Sequence, residues 1–291
     1  MKARHLVLFI FFWVLLISCK TTSFKIGNLD VGNLVNQGVN VFNANNIDEE
    51  QEIQFGENMS AVLLGARPLY KSEEINLYVN QVGLWLASNS ERPDLPWHFG
   101  VINSSSINAF AAPGGYVFIT SAMLNQLTNE AQLAAVLAHE IIHVVEQHHL
   151  DAIKEGAMRD ALTESLFVSV DAYQANTGAS SKKKEYKAWS KQISNAAQDL
   201  YSKGLNRDDE LQADQQGIRL LARAGYDPFA FITNLQVLQG ISADDSSLAL
   251  LYKTHPTPEQ RLTALSHNID ELSTISGELL AKRFQKNIYS L

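Results

Sequence analysis

His139-Glu140-Ile141-Ile142-His143 places two imidazoles four residues apart, with a carboxylate beside the first. On an α-helix, residues four apart share one face a turn apart, so both rings can aim a nitrogen at one point. Imidazole nitrogen suits a borderline-soft divalent cation, and zinc is the metal this HExxH spacing fits best. Glu140, one step round the helix, borders the same point and can take a proton from water there. A buried helix face carrying these three groups must satisfy them, and a metal does so in one step.

A tetrahedral hydrolytic site needs a third protein ligand and an open position. His149 stands where the pattern HExxHxxGxxH would put a third histidine, but that pattern turns the chain on a glycine, and Glu146 occupies its place. If the helix runs on, His149 lies about 15 Å along the axis from His139. His148 and His149 are therefore expected as exposed helix residues. Glu210 is the other candidate, 67 residues beyond His143, and it opens Glu210-Leu211-Gln212-Ala213-Asp214. Two carboxylates four apart again share a helix face, so Glu210 can ligate the metal while Asp214 accepts the second N–H of a ligand histidine. Gly217, a turn further on, costs about 1 kcal/mol against alanine in a helix and predicts close packing of two helices there.

Helices and strands must hold these residues in place. Thr128 or Asn129 can cap a long helix running to about Ala157, with Leu133, Val136, Leu137, Ile141 and Val144 as its apolar stripe. A second helix begins near Asn206 or Asp208 and stops at Gly225, because Pro228 prevents its continuation. Upstream, Ile75, Tyr78, Val79, Val82 and Leu86 recur at helical spacing, and Pro68 divides residues 53–90 into two helices. Residues 98–103, 107–112 and 116–120 are short runs rich in aromatic and β-branched side chains. The last two flank Pro113-Gly114-Gly115, which has the makings of a tight turn. Residues 121–127 read as helical, as does the chain beyond Phe229 apart from a break at 254–258. Residues 174–206 are polar, and the lysines at 182–184 read as a solvated face. The expected class is α+β: mainly helical, with a small antiparallel sheet beside the HExxH helix.

The N-terminal region reads differently. Lys2 and Arg4 precede an apolar run over 6–17 that is too short to span a bilayer as a helix, so 1–18 is expected to be a secretory signal. Leu16-Ile17-Ser18-Cys19 resembles a lipobox, and Cys19 is the sole cysteine. Acylation of Cys19 would anchor the mature chain to a membrane, with Lys20 favouring the outer one by the lipoprotein sorting pattern. Residues 19–52 are expected to be that acylated cysteine and a flexible tether, and 53–291 the catalytic domain. Hydrophobic residues make up 46% of the 291, enough for a sizeable core. Removing 1–18 takes two of the 23 basic residues and none of the 31 acidic ones, moving the net charge from −8 to −10. Such a surface argues against nucleic acid as a partner.

Several segments together resemble the membrane-associated gluzincins related to the heat-shock protease HtpX and the CAAX prenyl protease. They are Asn108-Ala109-Phe110-Ala111-Ala112-Pro113-Gly114-Gly115, the HEIIH motif, Glu210 to Asp214, Ala224-Gly225-Tyr226-Asp227-Pro228, and Thr254-His255-Pro256 with Arg261. They keep the family's order over roughly residues 53–265, closest to its periplasmic bacterial lipoprotein members, and depart from it at Ile142, where glycine is usual. The resemblance implies a zincin fold with one Zn²⁺ per chain on His139, His143 and Glu210, and a zinc metalloendopeptidase with Glu140 catalytic. It implies that Asn108, Ala109, Phe110 and Ala111 lie in the strand that binds an extended substrate by strand addition. His255 looks like the family's histidine near the metal, where it donates to the oxyanion or fills the fourth position; an ordinary helix-start histidine is the alternative. Arg261 is a candidate contact to substrate or transition state. The implied substrates are unfolded, misassembled or mislocalised proteins of the bacterial cell envelope, met on the periplasmic side. The rival reading is a metal-binding chaperone or assembly factor for outer-membrane proteins that hydrolyses little.

Overall fold

The computed structural model describes residues 25–26, 29–30, 47–156, 204–242, 244–266 and 274–289. Cys19, the signal segment and the polar stretch 174–203 lie outside the described residues. The chain divides into two compact units, residues 1–46 with 158–177, and 47–157 with 178–291. In the first, β1 (Lys25–Ile26) pairs antiparallel with β2 (Leu29–Asp30). Everything that follows belongs to the second.

Helix α1 (Glu49–Ala66) starts on a capping box: Asp48 accepts from Gln51 N at 2.9 Å, and Gln51 Oε1 accepts from Asp48 N at 3.1 Å. Glu49 to Glu52 are thus helical, so the ordered helix reaches into the segment expected to be tether. Glu52 is buried and binds Arg92 at 2.9 Å, the Gly114 amide at 3.0 Å and Gln147 at 3.1 Å. Helix α2 (Glu73–Ala87), capped by Ser72, buries the predicted stripe of Ile75, Tyr78, Val79, Val82 and Leu86.

The sheet orders its strands β3 (His98–Ile102), β5 (Tyr116–Thr120) and β4 (Ala109–Ala112), with β5 in the middle. β4 and β5 form the expected antiparallel hairpin, Ala112 opposite Tyr116 and Ala109 opposite Ile119. Pro113–Gly115 makes the turn, with Gly114 at φ 72° and Gly115 at φ 101°, conformations glycine reaches without steric cost. β3, however, runs parallel to β5, from His98 opposite Tyr116 to Ile102 opposite Thr120. The sheet is mixed rather than antiparallel, because the 103–108 loop crosses the end of β5 and puts β3 and β4 on opposite sides of it.

After a short α3 (Ser121–Leu124), helix α4 (Glu130–Val145) carries the HExxH motif, capped by Asn129, which accepts from Gln132 N at 2.9 Å. Its residues from Glu130 to Val144 are all buried, and Leu133, Leu137 and Ile141 are wholly inaccessible. Glu130 at its first turn accepts from Tyr78 and Tyr226 at 2.7 Å each and pairs with Arg283, tying the helix start to three other segments. The helix does not reach Ala157. It ends at Val145, Gln147 takes φ 60°, and a separate helical stretch covers 148–156.

α5 (Arg207–Arg223) lies against α4, and Gly225 at φ 89° follows its end, as expected. A Cβ on Gly217 would sit 3.3 Å from His139 Cα, so this glycine does permit the close approach of the two helices. α6 (Phe229–Gly240), α7 (Leu251–Thr254) and α8 (Pro258–Leu265) complete the surround, and α9 (Ala281–Tyr289) buries Phe284 and Ile288. Between α6 and α7 the chain is a 3-10 turn over Ser246–Leu248, a break the sequence reading lacked. The whole is α+β and mainly helical.

Candidate metal centre

Two adjacent turns of α4 turn His139 Nε2 and His143 Nε2 toward one another, 3.1 Å apart. From α5, Glu210 brings Oε2 to 3.6 Å from His139 Nε2 and Oε1 to 3.5 Å from His143 Nε2, both beyond hydrogen-bonding length. Glu210 is 1% exposed, and its Oε2 has no hydrogen-bond partner among the described residues. His255, in the segment just after α7, places Nε2 3.8 Å from Glu210 Oε2. One ligand atom from each of His139, His143, Glu210 and His255 lies within 4.8 Å of the others. Buried imidazole nitrogens and carboxylate oxygens converging on one point are what a divalent cation satisfies. The donor set fits a metal ion.

The surroundings fix the ligands. His139 Nδ1 donates to Asp214 Oδ1 at 3.0 Å, the contact expected from the two carboxylates sharing a face of α5. Arg261, a candidate contact to substrate or transition state, donates from Nε to Asp214 Oδ2 at 2.9 Å and also borders the pocket beside Glu140. It is buried and acts on the centre through that carboxylate. Burial works against the charge on Asp214, but Arg261 and His139 outweigh it and hold the group down to about 2.

His148 and His149 are buried, not exposed, at 5% and 8%. The left-handed turn at Gln147 folds them back, so that His148 Nδ1 shares a hydrogen bond with His143 Nδ1 at 2.9 Å. Sequence reasoning missed this partner of His143. The turn has neither glycine nor proline to announce it, and a histidine pair following HExxH was the only available signal. His149 stacks edge-on near His143 with centroids 5.5 Å apart, but it is not among the four converging ligands.

Glu140 is 3% exposed and sits 3.9 Å from His255 Nε2. Burial foremost, with Glu210 nearby, pushes its carboxyl up to about 7. A carboxyl there can both take and return a proton near neutrality. Burial and Arg261 oppose a proton on His139, yet Asp214 and Glu210 outweigh them and carry it up to about 9. His255 goes the other way, to about 4, because burial dominates. Thr254 Oγ1 lies 2.9 Å from its Nδ1 and fixes the ring. The site thus sets His139 and the Arg261 guanidinium against the three carboxyl groups of Asp214, Glu210 and Glu140.

Beside the centre lies β4, one of the two edge strands of the sheet. Ala109 and Glu140 both border two pockets, and Phe110 and Ala111 line one of them. Asn108, just before the strand, is fully buried and joins β5 through Thr120. Among the described residues no helix is long and apolar enough to cross a membrane.

Residues 73–269 match the model of peptidase family M48. The chain is 32% identical over 227 residues to the beta-barrel assembly-enhancing protease of Escherichia coli K12, covering 76% of this chain and 44% of that protein. A protease of the same name from Yersinia pestis is 31% identical over 228 residues, 77% of this chain and 45% of the relative. The mitochondrial metalloendopeptidase OMA1 of Schizosaccharomyces pombe is 28% identical over 211 residues, 71% and 57% respectively. This chain therefore spans less than half the length of the bacterial relatives it matches.

Proposed function

The chain belongs to peptidase family M48, and on that premise we propose that it is a zinc-dependent endopeptidase of the bacterial cell envelope acting on unfolded or misassembled envelope proteins. The observation that carries the reading is the convergence of His139, His143, Glu210 and His255 beside Glu140. His139, His143 and Glu210 would hold one zinc, with His255 beside them as a further ligand or as a donor to the oxyanion. Bound zinc supplies a Lewis acid that polarises the scissile carbonyl and the attacking water. Glu140 accepts that water's proton and delivers it to the leaving amine. Asp214, itself held by Arg261, fixes the tautomer of His139, and His148 does the same for His143.

An extended peptide added to the edge of β4 takes its affinity from backbone pairing, with little demand on sequence, which suits unfolded chains as substrates. The bacterial relatives' printed name, an assembly-enhancing protease for β-barrels, supports an envelope role. Cys19 supplies the membrane attachment by acylation, with the outer membrane as its destination. Elemental analysis tests the centre: wild type should carry one zinc per chain, and Glu210→Ala should lose most of it along with casein cleavage. Full zinc retention in Glu210→Ala would move the third ligand to His255 or His149.

A further inference from the structure

Gln212 stands between Glu210 and Asp214 on α5, yet its side chain reaches the residues that follow α4. Its amide meets two groups there. Nε2 donates to Glu146 Oε2 at 2.8 Å, and Oε1 lies 3.4 Å from His148 Nε2. A carboxylate oxygen only accepts, so the amide atom facing Glu146 must be the nitrogen and the one facing His148 the oxygen. The direction of each further hydrogen bond follows from that contact.

An amide oxygen carries no hydrogen, so His148 must donate to it from Nε2, which leaves a neutral ring with a lone pair on Nδ1. That atom can only accept. His143 Nδ1 lies 2.9 Å away and therefore holds the hydrogen of its own ring. His143 Nε2 is left with its lone pair, at the point where His139, Glu210 and His255 converge. A cation binds an imidazole through such a lone pair. With the amide of Gln212 turned over, each of these bonds would reverse, and His143 would present an N–H to the same point.

We propose that Gln212, oriented by Glu146, is a positioning residue that sets His143 in the tautomer a metal ion requires, acting through His148. The inference rests on the metal centre of the reading above and carries it two residues outward. His143 and His148 are 1% and 5% exposed, so the hydrogen bond between their rings is shielded from solvent and its direction is decided by the protein. Glu146 and Gln212 are half-buried, at the outer end of the chain of contacts. The two ligand histidines are thus held from opposite sides, His139 by the carboxylate of Asp214 and His143 by an imidazole, an amide and a carboxylate in series.

Nuclear magnetic resonance of the full-length protein, labelled in its histidine nitrogens and stripped of metal with a chelator, reads the tautomers directly. His148 should carry its ring hydrogen on Nε2 and His143 on Nδ1. Gln212→Met keeps the length of the side chain but loses both polar contacts, so His148 should populate both tautomers and zinc affinity, by competition with a chelator, should fall roughly three- to tenfold. Glu146→Lys puts a donor where the acceptor stood and should turn the amide over. His148 then shifts toward the form with hydrogen on Nδ1, and the loss of zinc affinity should shrink when Gln212→Met is already present. A wild-type His148 with hydrogen on Nδ1 or on both nitrogens, or unchanged tautomers and zinc affinity in Gln212→Met, would overturn the assignment. If Gln212→Met does not fold, the wild-type tautomers and Glu146→Lys decide. A wild type that shows these tautomers but binds no zinc would instead remove the metallopeptidase reading and leave the series of hydrogen bonds standing.

Discussion

Each imidazole of the HExxH pair leans on a different partner. His139 has a carboxylate, Asp214, backed by Arg261, and His143 has a second histidine, His148. The first arrangement was partly legible, because helical pitch alone puts Glu210 and Asp214 on one face of α5. Arg261 stands 47 residues beyond Asp214, and no local pattern connects them. His148 reaches His143 only because Gln147 adopts a left-handed conformation, which the sequence does not announce. The charge arrangement makes a testable demand on metal binding. Asp214 and Glu210 carry His139 up to about 9, so zinc competes with a proton for its Nε2. Zinc affinity should therefore rise about tenfold per pH unit between roughly 7 and 9 and level off above, since one proton leaves per metal bound. Competition titrations against a chelator at stepped pH would measure this, and an affinity flat across the range would contradict it.

At the scale of elements, α1 sets the position of the hairpin that carries β4. Glu52 accepts from the Gly114 amide, and a Cβ on Gly56 would lie 1.7 Å from Pro113 O. Gly56→Ala must push α1 off the turn. It is expected to destabilise the protein by about 2 kcal/mol or more, read as a lower urea midpoint, and to weaken peptide binding along β4. An unchanged midpoint would mean that the helix and the turn are not held so closely. The helices α1 and α2 and the hairpin were legible because their apolar periods and the Pro-Gly-Gly turn are local signals. The direction of β3 was not. A period-2 pattern says which face is buried, and strand direction is decided by where the 103–108 loop crosses. The short reach of α4 escaped for a similar reason, since the stretch 148–156 is itself helical and continues the pattern past the break.

For the whole molecule, the family match spans residues 73–269 and so includes the converging His139, His143, Glu210 and His255, whereas the anchor lies outside the described residues. The proposed lipoprotein anchor predicts that Cys19→Ser loses labelling by radioactive palmitate and leaves the membrane fraction on extraction; a variant that stays membrane-bound and matures normally would remove that part of the account. The centre itself is tested most directly at Glu140, where a peptidase and a metal-binding chaperone part. Glu140→Gln keeps the side-chain shape and every proposed ligand but removes the group that accepts the proton. Zinc content and binding of unfolded protein should persist while casein hydrolysis falls by about a hundredfold or more. Hydrolysis by Glu140→Gln at the wild-type rate, with zinc content equal in both, would contradict the account.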